Sequence, residues 1–322
     1  MPFPPIKLGS HLVPPVFLAP MAGVTDAAFR ATVLDFGVLP TMTEMIASEA
    51  CVRGNAKTLR MMDFLPNESP KLVQLVGSTP ERIAEAAKIS ADQGAEVLNL
   101  NMGCPVRKIV QGGSGAALMK DPSLVRKIVH AAVHATSLPV TVKMRLGWEA
   151  EQKNAPEIAR LAEEEGAALL IVHGRTRAQM YAGEADWSAV RAVGQAVRLP
   201  LLVNGDIRDA ETAQAALRAS GADGVMMGRA ALGAPWLPSQ LASYLETGAL
   251  PHPPSQAIRR QTVFRHLARM RESYGEEKAV FISRKHLCWY SRGLPGATAF
   301  RAHVNAALSI AELEQQLEAL WA

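Results

Sequence analysis

At 322 residues the chain is longer than the about 100–200 residues of a typical domain. With 48% hydrophobic and 20% charged residues, it is excluded from being a disordered polypeptide and reads as one large barrel or two domains. No apolar run approaches the roughly 20 residues that span a bilayer, so a membrane protein is not expected. The formal charge of +4 is unevenly placed: residues 1–250 carry 24 basic and 24 acidic side chains, and residues 251–322 carry 10 and 6, a neutral body before a basic tail region. Such a tail either holds a polyanion or is a solvated helical surface.

The N-terminal Met1-Pro-Phe-Pro-Pro-Ile-Lys has proline where a secretion signal needs an unbroken apolar stretch, which points to a cytoplasmic protein. From Val16 to about Leu232, short β-rich runs alternate with helical stretches. The strands are Val16-Phe-Leu-Ala-Pro, Thr41-Met-Thr-Glu-Met, Lys71-Leu-Val-Gln-Leu-Val, Glu96-Val-Leu-Asn-Leu-Asn, Val140-Thr-Val-Lys-Met, Leu169-Leu-Ile-Val-His, Leu201-Leu-Val-Asn-Gly and Gly224-Val-Met-Met-Gly. Several are continuously apolar, the mark of strands covered on both faces. Helices begin at Pro80, Asp121, Ala155 and Asp209, with Gly94, Gly166 and Gly221 as stops. Eight such units fit an α/β fold of the closed (β/α)8 TIM-barrel type. An open doubly wound sheet would need G-x-G-x-x-G after its first strand, where Ala19-Pro-Met-Ala-Gly stands instead. Pro251-His-Pro-Pro-Ser punctuates the barrel's end, and Ile258 to Leu320 is helical throughout. The expected division is a catalytic barrel over residues 1–245 and a C-terminal all-helical bundle of about four helices over residues 251–322.

In such a barrel the C-terminal strand ends share one pocket. They read Pro20-Met-Ala-Gly, Glu44, Gln74, Asn101 to Cys104, Lys143 with Arg145, His173, Asn204-Gly-Asp, and Gly228-Arg229. Gly205 and Gly228 would let backbone N–H groups approach a phosphate, of a substrate or of a cofactor such as FMN, with Arg229 adding charge; tight turns alone are the plainer use. Lys143 on an inward position needs an anion, either ligand charge or a barrel carboxylate. Cys104, in a loop shaped by Gly103 and Pro105, is either a nucleophile wanting a base or, since an ordinary thiol titrates near about 8.5, a general acid. His173 leads into a basic loop with Arg175 and Arg177. Cys51 and Cys288 read as packing residues, and three cysteines give neither a disulfide framework nor metal spacing. His130 and His134 stand at i, i+4 without a third ligand, so no metal site is expected.

Ala19-Pro-Met-Ala-Gly-Val-Thr-Asp, Asn99-Leu-Asn-Met-Gly-Cys-Pro, Val142-Lys-Met-Arg-Leu-Gly, His173-Gly-Arg-Thr-Arg, Asn204-Gly-Asp-Ile and Gly228-Arg-Ala together resemble the tRNA-dihydrouridine synthases. Arg284-Lys-His-Leu-Cys-Trp-Tyr is similar to the bacterial B subgroup, and the resemblance runs in order from about Val16 to Leu320. It implies an FMN-bound barrel, a helical domain that helps hold tRNA, and NADPH-driven reduction of the C5=C6 bond of D-loop uridines. Hydride would pass from flavin N5 to C6, and the proton from Cys104 to C5. Carried over by position, Pro20, Met21 and Ala22 begin the flavin site, and Gln74 and Lys143 contact the ring. Asn204, Gly205, Asp206, Gly228 and Arg229 complete the ribityl-phosphate site, His173 contacts flavin or base, and Asn101 contacts uracil.

Arg145, Arg175, Arg284 and Lys285 are further substrate candidates. The target base must leave its stack to reach the pocket, an unstacking cost of about a few kcal/mol that phosphate contacts offset. Arg259, Arg260, Arg265, Arg269, Arg284, Lys285, Arg292 and Arg301 are the candidate contacts. No nicotinamide-binding motif is recognisable, so NADPH rests on the resemblance; no membrane or metal is expected, and no obligate protein partner is evident from the sequence. Two rival readings are an FMN oxidoreductase acting on a small pyrimidine or enone, which needs no basic tail, and a non-catalytic RNA-binding barrel, against which the intact Cys104, Lys143 and Gly228-Arg229 speak.

Overall fold

The computed structural model describes residues 3–321. A hairpin of β1 (Ile6–Leu8) and β2 (His11–Val13) precedes eight parallel strands. These are β3 (Val16–Leu18), β4 (Met42–Ala47), β5 (Leu72–Val76), β6 (Val97–Met102), β7 (Val140–Arg145), β8 (Leu169–His173), β9 (Leu201–Asn204) and β10 (Gly224–Met227). The ladder runs β3-β10-β9-β8-β7-β6-β5-β4, and Leu18 N–H donates to Pro40 O at 2.9 Å across the remaining seam. Every residue of β5, β6, β8, β9 and β10 is buried, because one face fills the barrel and the other lies under helices. The hairpin went unanticipated. Its Ile6, Leu8 and Val13 pack with Leu72, Val97 and Leu169, the first residues of their strands, and so plug the end of the barrel opposite the strand C-termini.

The barrel helices are α1 (Ala27–Leu34), α2 (Ser48–Val52), α3 (Ala56–Arg60), α4 (Pro80–Asp92), α5 (Arg107–Gln111), α6 (Pro122–Ala135), α7 (Ala155–Glu164), α8 (Trp187–Ala196), α9 (Ala210–Ser220) and α10 (Leu237–Thr247). Their buried stripes follow helical spacing: Ile83, Ala86, Ala87 and Ser90 on α4, Val125, Ile128, Val129 and Ala132 on α6, and Ala155, Ile158, Ala159 and Ala162 on α7. Each buried isoleucine or valine on such a stripe stabilises by about 1.5–3 kcal/mol. Asp121 caps α6 through Leu124 N–H at 3.0 Å, and Asp209 with Thr212 forms a capping box on α9, which ends on left-handed Gly221. Two short helices, α2 and α3, replace the single helix that alternation predicts between β4 and β5.

Helices α11 (Gln256–Tyr274), α12 (Glu276–Tyr290), α13 (Ala297–Ala306) and α14 (Ile310–Trp321) surround their own core, which includes Leu267, Met270, Leu287, Phe300, Leu313 and Leu317. Ala28 of α1 belongs to the same core. Helix α11 grips α1 at both ends. Arg269 forks onto Asp35 at 2.7 and 2.9 Å, and Tyr274 Oη donates at 2.7 Å to Asp26, which caps α1. Among the described residues no helix is long and apolar enough to cross a membrane.

Candidate active site

The strand C-termini open into a cavity of about 870 Å3. Cys104 lines it, as do Pro20, Met21, Ala22, Gln74, Lys143, His173, Asn204, Gly205, Asp206, Gly228 and Arg229, the positions expected to hold the cofactor. Asn101 and Arg145 line it too. Arg175, Arg284 and Lys285 do not.

Cys104 sits on the loop after β6, half-buried, and that loop is fixed by a chain of amides. Asn101 Oδ1 accepts from the N–H groups of Gly103 and Cys104 at 3.1 and 2.9 Å. Asn101 Nδ2 donates to Gln74 Oε1 at 2.8 Å, Gln74 Nε2 to Asn99 Oδ1 at 2.8 Å, and Asn99 Nδ2 to Thr141 Oγ1 at 2.7 Å. Thr141 Oγ1 in turn donates to Leu98 O at 3.1 Å. The bonds all run one way across β5, β6 and β7, so each polarises the next and every amide orientation is determined. On the far side, Cys104 O accepts from Ala116 N–H at 3.0 Å, and left-handed Gly115 must be glycine, since a Cβ there would lie 2.7 Å from Cys104 O. Asn99 and Thr141 were absent from the sequence candidates, although Asn99 and Asn101 share one strand face by period-two alternation.

Charge in the cavity is mostly positive: Lys143, Arg145, Arg208 and Arg229 against Asp206. Burial and the neighbouring Arg145 pull Lys143 down to about 8, partly opposed by Cys104. No carboxylate pairs with Lys143 among the described residues. Asp206, in left-handed backbone at φ +55°, is held by Arg175 at 2.6 Å, Arg229 at 3.1 Å and Ala185 N–H at 2.9 Å. Burial raises the Asp206 pKa, but these donors outweigh it and hold the carboxyl below its ordinary range.

Asn204 Nδ2 donates to Met226 O at 2.8 Å, which leaves Asn204 Oδ1 to accept from His173 Nδ1–H at 2.9 Å. His173 Nε2 is then the acceptor facing Arg175 at 3.3 Å. Burial, helped by the charges of Lys143, Arg145 and Arg175, pulls this imidazole down to about 2 against the Asn204 bond, so it is neutral.

The remaining candidates are committed inside the protein. Arg175, a substrate candidate from sequence, is 1% exposed and bonds Ala182 O, Gly183 O, His173 and Asp206, so it braces the loop after β8. Arg145 joins two loops, with Nε on Gly103 O at 2.8 Å and Nη1 on Thr176 O and Met180 O at 2.9 and 2.8 Å. Arg284 bonds Ala307 O at 2.7 Å, away from the cavity. Lys285 donates to Gly23 O while Gly23 N–H donates to Glu44, so the loop carrying Pro20, Met21 and Ala22 is held between barrel and α12. Tyr181, a residue missed from sequence, stands 53% exposed at the cavity mouth between Arg145 and Arg229, at 5.5 and 5.7 Å. His130 pairs with Glu165 at 2.8 Å, and the described residues contain no group of three or more side chains able to hold a metal ion.

A family model described as dihydrouridine synthase (Dus) matches residues 17–321. The Rickettsia conorii protein named "Probable tRNA-dihydrouridine synthase" is 46% identical over 302 residues, covering 93% of this chain and 91% of that protein. Proteins named tRNA-dihydrouridine synthase B are similar at 44% over 303 residues in Xanthomonas campestris, covering 94% of this chain and 91% of theirs, and at 40% over 305 residues in Pseudomonas aeruginosa, covering 93% and 91%. Histamine dehydrogenase from Rhizobium sp. 4-9 superposes with a TM-score of 0.57 at 15% identity over 83% of this chain. The chain spans half the length of that structure, and the likeness concerns the barrel fold alone. Match and identity both extend over nearly the whole chain, which therefore belongs to the dihydrouridine synthase family.

Proposed function

We propose that this protein reduces the C5=C6 bond of D-loop uridines in tRNA, with FMN as its bound cofactor, NADPH as reductant and the cytoplasm as its compartment. One observation carries the reading. Cys104, on the loop after β6, and Lys143, on the adjacent β7, line a single basic cavity whose β9 and β10 corner offers free backbone donors.

The residues present fit FMN. The N–H groups of Gly205, Gly228 and Arg229 donate to no acceptor among the described residues. A Cβ at Gly228 would stand 3.5 Å from Ala19 and 3.9 Å from Met21 and fill that corner, so the glycine leaves it open for a phosphate. The cavity volume lies within the about 300–1,000 Å3 of cofactor sites. FMN, when bound, supplies the hydride chemistry between NADPH and uracil C6.

The chain's residues do the rest. Asn204, Gly205, Gly228 and Arg229 would hold the ribityl-phosphate, with Asp206 steering Arg229 rather than touching the anion itself. Pro20, Met21 and Ala22 would wall the ring, Gln74 would reach its edge, and Lys143, unpaired and charged below about pH 8, would counter negative charge on it. Cys104 gives its thiol proton to uracil C5 and recovers one from solvent. Neutral His173 has no proton to offer at Nε2, so it does not compete. Asn101 works through the Cys104 loop, and Tyr181 offers an aromatic face to a base entering the mouth. Residues 1–245 do the chemistry and residues 251–322 hold the RNA.

The test is a map of dihydrouridine in tRNA from cells lacking the protein and cells re-expressing it. Loss and return of D-loop dihydrouridine is expected. An unchanged map refutes the reading.

A further inference from the structure

A second cavity, of about 230 Å3, opens where the helical region meets the barrel. Three indoles reach it from separate parts of the chain: Trp236 before α10, Trp289 on α12 and Trp321 at the end of α14. Arg259 and Arg292 line it as well. The Trp321 Nε1–H is buried and meets no acceptor among the described residues. Arg259 lies over the Trp236 ring at 5.2 Å and bonds Pro254 O through Nε at 2.9 Å, which leaves its two Nη groups available. Arg292 is exposed and has no side-chain partner among the described residues.

Most of the rest of the basic stretch is engaged, although Arg301 reaches only Thr298 Oγ1 at 3.4 Å and does not line this cavity. Arg260 is paired with Glu318, Arg265 and Arg269 with Asp35, Arg284 with Ala307 O and Lys285 with Gly23 O. Arg259 and Arg292 keep free donors, and both border the same aromatic cavity. Indole side chains beside guanidinium groups with open donors complement a nucleotide, with its base against Trp289 or Trp321, since Arg259 covers one face of Trp236, and its phosphate on arginine. The cavity also adjoins the active site: Ala230 lines one and Leu232 the other, at most about 7 Å apart along the chain.

We propose that this cavity takes a second, unpaired nucleotide of the tRNA, its base on the indoles and its phosphate on Arg259 and Arg292. The proposal rests on the tRNA reading above and deepens it. With one nucleotide seated here, the span to the barrel mouth decides which uridine can enter, so the cavity acts as a register stop for the RNA.

The test measures affinity of the full-length holoenzyme for an unmodified tRNA transcript at two salt concentrations, together with the NADPH dependence of flavin reduction. Arg292→Ala is expected to weaken tRNA binding at least about fivefold and to lower the salt slope by about one. Trp321→Ala is expected to weaken it at least about fivefold, and Trp321→Phe, which keeps an aromatic face, no more than about threefold. Arg198→Ala, exposed before β9 at the opposite end of the barrel, is the charge control and is expected to stay within about twofold. Arg292 is exposed, so its replacement does not threaten folding. Binding within about twofold of the parent for both Arg292→Ala and Trp321→Ala overturns the proposal. So does a raised NADPH requirement with unchanged tRNA affinity, which would assign the cavity to the dinucleotide. Failure of the parent protein to bind tRNA would instead sink the functional reading.

Discussion

Asn101 separates two accounts of the site, one in which it touches uracil and one in which it holds Cys104. Asn101→Ala leaves the N–H groups of Gly103 and Cys104 and the Gln74 carbonyl without the partners they meet at 3.1, 2.9 and 2.8 Å. A buried orphan costs about 1–3 kcal/mol, and water entering from the cavity lowers that figure. A loosening of about 2 kcal/mol therefore lets the Cys104 loop shift without unfolding the barrel. Misplacing a reacting group by about 1 Å costs about 100-fold in rate, so a loss of about 10- to 100-fold is expected. The assay mixes protein carrying reduced flavin with unmodified tRNA and follows flavin reoxidation in a single turnover. It is run on Asn101→Ala, Cys104→Ala and the double variant. If Asn101 acts through Cys104, adding Asn101→Ala to Cys104→Ala costs no more than about a further twofold. The same loss in both backgrounds would refute the positioning role and return Asn101 to the substrate.

Other outcomes follow from the same geometry. Lys143 titrates near 8, so between pH 7 and 9 the apoprotein loses this positive charge, and FMN affinity should fall by about tenfold across that window. Lys143→Met should bind weakly at both pH values, whereas a pH-independent parent contradicts the role; fluorescence titration reads both. His266 and His286 are buried between α11, α12 and Phe29, and each has an Nε2 without a partner among the described residues. Burial first, with Arg269 and Lys285 nearby, depresses both, His266 from 6.5 to about 3. The unfolded chain therefore binds more protons below pH 6.5, and stability present above that pH is lost on acidification, by up to about 1.4 kcal/mol per pH unit for each ring. Urea melts at pH 7 and pH 5 should show a smaller difference for His286→Phe than for the parent; an equal difference contradicts this. Lys285→Met should raise hydrogen exchange across residues 19–25 and weaken FMN binding by about threefold, with Lys285→Arg restoring both. Unchanged exchange would remove Lys285 from the loop's support.

The barrel was readable because its strands are continuously apolar and its helices bury residues at i, i+3, i+4 and i+7, both local patterns. The strand ends converge by geometry once eight strands are counted, which is why Cys104, Lys143 and Gly228 were found together. The hairpin was invisible because its three-residue strands owe their structure to Leu72, Val97 and Leu169, far along the chain. Segment charge is an incomplete guide for a similar reason. Arg265 and Arg269 look free within residues 251–322, but their partner Asp35 lies on the barrel. Arg175 resembles a mouth arginine until its carbonyl partners at Ala182 and Gly183 fold back over it. Tyr181 carries no motif, and only its place between Arg145 and Arg229 gives it meaning.

The central claim is that the Cys104 thiol supplies the proton to uracil. Its most direct test is dihydrouridine formed by Cys104→Ala holoenzyme whose flavin has first been shown to bind and to be reduced by NADPH. The account predicts flavin reduction at the parental rate and uridine reduction lowered by about 100-fold or more. Dihydrouridine formation at the parental rate would contradict it.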